Sequence, residues 1–178
     1  MSEFSESYHL KTSEVGHGIE LLRRAGLRGF VFPAVNGWVT VLPEGEPFVP
    51  TEPLITASTG TLFYFGNAED HGWWFAVYVD SNPLASYACN WEDSIQVQQP
   101  LDIEAFEEII GPVLTSLGSE KVRQIFEPKN FEELFDVKPA YLLADAVGLK
   151  NYQWVSFDYL KTDRERGESG FDGVVFVE

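Results

Sequence analysis

Residues 61–91, TLFYFGNAEDHGWWFAVYVDSNPLASYACNW, decide the fold. Thr61 to Phe65 and Trp73 to Val79 are runs of aromatic and β-branched residues, and Leu84 to Trp91 is a third apolar-rich run. Asn67–Gly72 and Asp80–Pro83 separate them with residues that suit turns. Three such runs with short connections predict an antiparallel meander. Alternation puts Trp73, Phe75, Val77 and Val79 on one face of the middle strand, with Trp74, Ala76 and Tyr78 on the other. Both faces are mainly apolar, so this strand is expected to lie inside a sheet covered on both sides.

Working toward the N-terminus, residues 43–59 carry Pro43, Pro47, Pro50 and Pro53 and read as a loop or an irregular crossing. Gly29 to Phe32 and Trp38 to Leu42 read as two strands, with Asn36-Gly37 as the turn signal between them. This pair and the pair at residues 60–79 share one pattern: a strand, a turn containing Asn, then Gly-Trp opening the next strand. Before them, Ser13 is a candidate N-cap for a helix carrying Ile19, Leu21, Leu22 and Ala25 and ending at Gly26. Tyr8 to Lys11 reads as a short strand.

Beyond Trp91 the pattern changes to helix. Asp102 is placed to cap a helix carrying Ile103, Phe106, Ile109 and Ile110, ended by Gly111-Pro112. Val113–Leu117 continues as another turn. Ser119 precedes a stripe of Val122, Ile125 and Phe126, and Asn130 with Glu133 suits the start of Phe131–Phe135. Pro139 to Val147 reads as a helix with Pro at its first position and Gly148 beyond its end. Tyr152–Leu160 is aromatic and mixed in pattern, Lys161–Gly170 reads as a polar mobile segment, and Phe171 to Val177 as a terminal strand. The expected class is α+β: a mainly antiparallel sheet of about five to seven strands with helices packed against it. One domain is expected over residues 1–178, strand-rich through 99 and helix-rich over 102–148. A two-lobed division near Gln99 is the alternative.

Composition bounds the function. The chain has 178 residues, 44% apolar and 15% aromatic, with a net charge of -16. That aromatic content excludes disorder as the state of the whole chain, and the charge argues against nucleic acid or an anionic membrane, which need a basic footprint. No apolar run approaches a membrane span. The N-terminus lacks the basic-then-apolar profile of a secretion signal. Cys89 is the only cysteine, so no intrachain disulfide or thiolate cluster forms. A soluble, cytoplasmic protein is expected. No Lys or Arg lies between Arg28 and Lys121, while acids run throughout that interval. Lacking local bases, these acids are expected to be solvated, paired with the terminal segments, bound to a cation, or offered to a basic macromolecule.

Candidate chemistry is sparse. Asn67-Ala68-Glu69-Asp70-His71-Gly72 is the densest polar cluster, and it is also what an ordinary exposed turn would use. In a meander, the end of the third strand returns to the edge where the second begins. Glu92 and Asp93 are therefore expected on one rim with Glu69, Asp70 and His71. Such a rim suits a basic protein surface, proton transfer or a divalent cation. Alternation buries Cys89 beside Tyr87 and Trp91, as an inert core thiol. His9 and His17 share no ligand spacing with His71, and Asp102, Glu104, Glu107 and Glu108 lack the companion motifs of a di-iron bundle. No metal or cofactor is expected. Glycine-rich nucleotide loops, nucleophile elbows and EF-hands are all missing; Gly16-x-Gly18 lacks the rest of such a loop. Tyr152 and Trp154, in a segment with Phe157 and Tyr159, suit either core packing or a protein-binding patch.

In size, charge and lack of a catalytic signature the chain resembles many small acidic bacterial proteins, and loosely the immunity proteins that neutralise basic toxins. The acids without local bases between Arg28 and Lys121 point to a non-catalytic module binding a basic protein partner, with Glu69, Asp70, His71, Glu92, Asp93, Tyr152 and Trp154 as contact candidates. The alternative is a small hydrolase or lyase using Glu69, Asp70 and His71 with Glu92 and Asp93, with or without a divalent cation. A third reading is a homodimer joined through the tail strand or the aromatic segment.

Overall fold

The computed structural model of the protein describes residues 2–168 and 172–178. The predicted meander is present and longer than expected. β4 (Thr61–Ala68), β5 (Gly72–Val79) and β6 (Asn82–Trp91) pair antiparallel, with Trp73 opposite Asn67 on one side and Cys89 on the other. The β5–β6 connection is only Asp80 and Ser81, both left-handed, which matches the twist of a two-residue hairpin. Asp80 Oδ1 also accepts from Gly60 N at 2.7 Å.

Eight strands form one sheet in the order β7-β6-β5-β4-β1-β3-β2-β8, one more than the upper expectation. The additional strand is β7 (Ile95–Gln99), whose exposed glutamines carry no apolar signal. β1 is Phe4–Lys11 rather than a short strand from Tyr8, and it lies between β4 and β3 (Trp38–Pro43). β2 (Gly29–Val31) pairs with β3 as predicted; Asn36 and Gly37 adopt φ 53° and 78°, while Val35 and Trp38 exchange backbone hydrogen bonds. β8 (Val175–Val177) adds to β2, completing the edge. Phe171, the expected start of that strand, lies outside the described residues, as do Ser169 and Gly170 of the expected mobile segment.

Helices cover both faces. α1 (Val15–Ala25) and α2 (Glu52–Ala57) lie over one face, where Leu21, Leu22, Leu54 and Ile55 join Tyr8, Val39 and Tyr64 in a core cluster. Position 14 rather than 13 is the N-cap of α1, without a side-chain cap, and α2 occupies part of the expected Pro-rich loop. Gly18, unfavourable in a helix by propensity, is there for packing: a Cβ would stand 2.8 Å from methyls of Val31 and Val39. On the other face lie α3 (Ile103–Ile110), α4 (Val113–Leu117), α5 (Ser119–Phe126), α6 (Phe131–Val137) and α7 (Pro139–Val147). Their Phe106, Leu114, Ile125, Phe126 and Leu143 meet Phe63, Phe65, Trp73, Phe75 and Tyr87. Each such side chain contributes about 1.5–3 kcal/mol by leaving water.

Asp102 and Asn130 cap α3 and α6 as predicted, accepting from Ala105 N and Glu133 N. Ser119 instead lies inside α5, where Gly118 is the N-cap. Ser156 caps α8 (Phe157–Glu165), so residues 161–165 of the segment expected to be mobile are helical. Phe157 and Leu160 of α8 pack on Phe30 and Leu42, forming a third cluster beneath β2 and β3.

Candidate functional site

The β4–β5 and β6–β7 turns meet at one end of the sheet because β5 is shared between them. Trp91 N donates to His71 O at 2.8 Å, and Trp91 Nε1 donates to Glu69 O at 3.1 Å. Gly72 permits this closeness, since a Cβ there would lie 2.5 Å from Cys89 O. Glu69, Asp70, His71, Glu92 and Asp93 are all exposed at this end.

The sheet nevertheless divides them. His71, Glu92 and Asp93 line a cavity of about 410 Å³ with Phe48, Trp74 and Asn90. Glu69 lines a different cavity, of about 270 Å³, together with Asn67 and Trp73. Alternation explains the split: residues 67, 69 and 73 belong to one face, and 68 and 74 to the other. Asp70 lines neither cavity. Glu69 and His71 are thus not brought together as an acid–base pair. Among the described residues, no group of three or more His, Cys, Asp or Glu side chains is arranged to hold a metal ion.

The aromatic candidates also separate. Tyr152 is buried against Phe65 and Tyr141, with its hydroxyl donating to Asp145 Oδ1 at 2.9 Å. Trp154 is 47% exposed and left-handed, and its backbone N donates to Glu3 Oε1. Only Trp154 of the two therefore offers its ring to the surface. Cys89 is buried, and desolvation raises its thiol above the ordinary value, the opposite of an activated nucleophile.

The polar feature that sequence reasoning missed is in β1. Glu3, Ser5, Ser7 and His9 alternate along one face at 0–1% exposure. Glu3 accepts from Ser5 Oγ, Tyr141 OH and Trp154 N, and its backbone N donates to Glu69 Oε2 at 3.0 Å. Ser5 Oγ accepts from Val155 N at 3.2 Å. These bonds pair the buried polar groups of Glu3 and Ser5 and tie residues 141–155 to the central strand. The detectable signal was the period-two pattern itself, Glu3/Ser5/Ser7/His9 against Phe4/Glu6/Tyr8/Leu10.

His9 makes the chemistry of this row explicit. Its Nε2 lies 2.9 Å from Ser7 Oγ and its Nδ1 3.2 Å from Thr40 Oγ1. Thr40 donates to Lys150 O at 3.1 Å, so it must accept from His9 Nδ1–H, which leaves Nε2 to accept from Ser7. Burial pushes the imidazole down to about 3 and keeps it neutral. The serine–histidine contact has the geometry of a nucleophile and base, but both residues are fully buried and no substrate can reach them.

On the opposite face of β1, Glu6 accepts from Phe48 N at 2.9 Å and Tyr64 OH at 2.8 Å, while Tyr8 OH accepts from Thr51 N at 2.7 Å. Burial raises the Glu6 carboxyl above its ordinary value. These bonds hold the residue 48–51 segment against the sheet, beside the His71 cavity that Phe48 helps to wall. No known protein family, curated protein or solved structure matches the chain.

Proposed function

We propose that the protein is a non-catalytic binding module whose acidic rim receives a basic protein partner. One observation carries the reading: Glu69, Asp70, Glu92 and Asp93 stand exposed at one end of the sheet with no salt bridge among the described residues. Arg28, Arg123 and Lys150 pair with Glu44, with Glu120 and Glu133, and with Asp145, none of them a rim carboxylate. The two turns are held by strand hydrogen bonds, so their carboxylates are presented on a rigid scaffold rather than on free loops. Phe48 and Trp74, in edge contact at 5.4 Å between ring centroids, give the adjoining cavity aromatic walls for a partner's aliphatic or cationic side chain.

Neutralising the rim tests the proposal against charge in general. An oligolysine peptide of about ten residues serves as the probe, with association followed by stopped-flow tryptophan fluorescence at low salt. The quadruple variant Glu69→Gln, Asp70→Asn, Glu92→Gln, Asp93→Asn should associate about tenfold more slowly than the wild type. The charge-matched control Glu104→Gln, Glu108→Gln, Glu165→Gln, Glu168→Gln should lose much less. Equal losses in the two variants would mean that only net charge matters, and would remove the rim from the account.

A further inference from the structure

The 410 Å³ cavity beside the rim is built around an aromatic platform. Trp74 stands opposite Gly66 of β4. A Cβ at Gly66 would lie 2.2 Å from the indole's ring-fusion carbon Cε2, and 2.4 and 2.5 Å from its neighbours Cζ2 and Nε1. A point in the plane of the ring would lie nearer to those two outer atoms than to the fusion carbon, so the indole rests face down on Gly66. Any side chain at position 66 would lift it off the sheet. The second face of the indole is turned away from the sheet, and the half-buried ring helps to wall the cavity. Phe48 stands at 88° to it, with 5.4 Å between ring centroids.

The polar lining indicates what the platform meets. Gly72 of β5 lies opposite Asn90 of β6, which lies opposite Gln96 of β7, so both carboxamides share the face of Trp74. Asn90 Oδ1 sits over Gly72, where a Cβ would meet it at 2.8 Å. Gln96 Nε2 donates to Ser94 Oγ at 3.3 Å, which leaves the Gln96 carbonyl oxygen as an acceptor. Gln98 and the carboxylates of Glu92 and Asp93 also line the cavity, and among the described residues its lining includes no Lys or Arg. The cavity thus combines a flat π-face with carboxylates and amide oxygens, and it holds no fixed cation of its own.

We infer that this cavity receives the guanidinium group of an arginine side chain of the basic partner, an inference that rests on the rim reading above and narrows it. A guanidinium is planar and carries five N–H donors around its edge. Its face stacks on the indole, its donors turn to Glu92, Asp93 and the carboxamide oxygens, and its methylene stem lies against Phe48. A lysine ammonium brings the charge without the plane, and a neutral amide brings the plane without the charge. Charge complementarity selects a cation, and the platform selects a flat one.

The test is an NMR titration of the full chain with N-acetyl-L-arginine amide, to about 20 mM at low salt. The lysine and citrulline counterparts are the controls, citrulline keeping the plane and losing the charge. The arginine probe should bind saturably, shifting the Trp74 indole resonance and the amides of residues 90–98. Its own δ-methylene protons should move upfield in the ring current of the indole. The lysine probe should bind about fivefold more weakly and the citrulline probe about tenfold. Trp74→Leu should bring the arginine affinity down to that of lysine. The exposed double substitution Glu92→Gln, Asp93→Asn should weaken arginine binding about tenfold, and it decides the matter where Trp74→Leu does not fold. The inference is overturned by the absence of saturable binding, by equal affinity for the lysine or citrulline probe, or by undiminished affinity in the double variant. Tighter binding of unblocked L-arginine would overturn it as well, by pointing to a free amino acid in place of a partner's side chain. A single blocked residue cannot span both rim turns, so failure here leaves the oligolysine result standing, and failure of the oligolysine comparison leaves this titration to be read by itself.

Discussion

At the scale of single residues, the buried face of β1 is where this protein departs most from an ordinary core. His9 is held neutral far below its usual range by burial among Ser7, Thr40 and the Lys150 carbonyl. Below about pH 6.5 the unfolded chain takes up a proton that the folded chain refuses, so the folded state loses stability as pH falls toward about 3. Urea unfolding between pH 6 and about pH 5 should therefore show the wild type losing about 1 kcal/mol per pH unit more than His9→Gln. Parallel pH dependences in the two proteins would show that His9 is not neutral in the fold. The period-two row Glu3/Ser5/Ser7/His9 marks one face of a strand, but a face of Ser, Glu and His reads as solvated rather than buried. The burial comes from residues 141–155, more than a hundred positions away. By contrast, Asp102 and Asn130 were legible, because a cap acts on an N–H only three residues ahead.

At the scale of elements, the same division between local and distant causes holds. The hairpins β2–β3 and β4–β5–β6 were readable because alternation and turn chemistry act over a few residues, and α7 because Pro139 and Gly148 mark its ends. The insertion of β1 between β3 and β4 was not, because pairing across some thirty to sixty residues leaves no local mark. β7 was missed for a different reason: an edge strand of exposed glutamines buries too little to impose a pattern. α1 shows a residue reading in reverse, with Gly16 and Gly18 weakening the helix by propensity while only Gly18 packs against β2 and β3. Gly18→Ala should cost about 1–3 kcal/mol through overpacking, despite the better helix propensity of alanine. Gly16→Ala, with open space at its Cβ, should be neutral or stabilising by up to about 1 kcal/mol. Thermal melts of the two variants measure the contrast, and equal effects would contradict the packing reason for Gly18.

At the scale of the whole molecule, the net charge of -16 acquires a distribution. The base-free interval from Arg28 to Lys121 predicted acids without local partners, and folding corrects this at both ends. Glu44 returns to Arg28 at 2.5 Å, and Glu120 meets Arg123 at 2.9 Å. Within the interval, Asp80 bonds Gly60, Asp102 caps α3, and Glu107 takes both the N–H and the hydroxyl of Thr115. The carboxylates of Asp70, Glu92 and Asp93 have no such engagement among the described residues, and they share their end of the sheet with Glu69. Their shared edge followed from strand direction alone, whereas their division between two cavities depended on which face each side chain takes. No helix among the described residues is long and apolar enough to cross a membrane. The most direct measurement of the acidic-rim claim is a residue-resolved ¹H–¹⁵N map of oligolysine binding at low salt. The largest amide shifts should fall at residues 69–71 and 91–94 and vanish on moderate salt. Shifts centred on the exposed acids of α3 or α8, or spread evenly over the surface, would contradict the rim as the site where a basic partner binds.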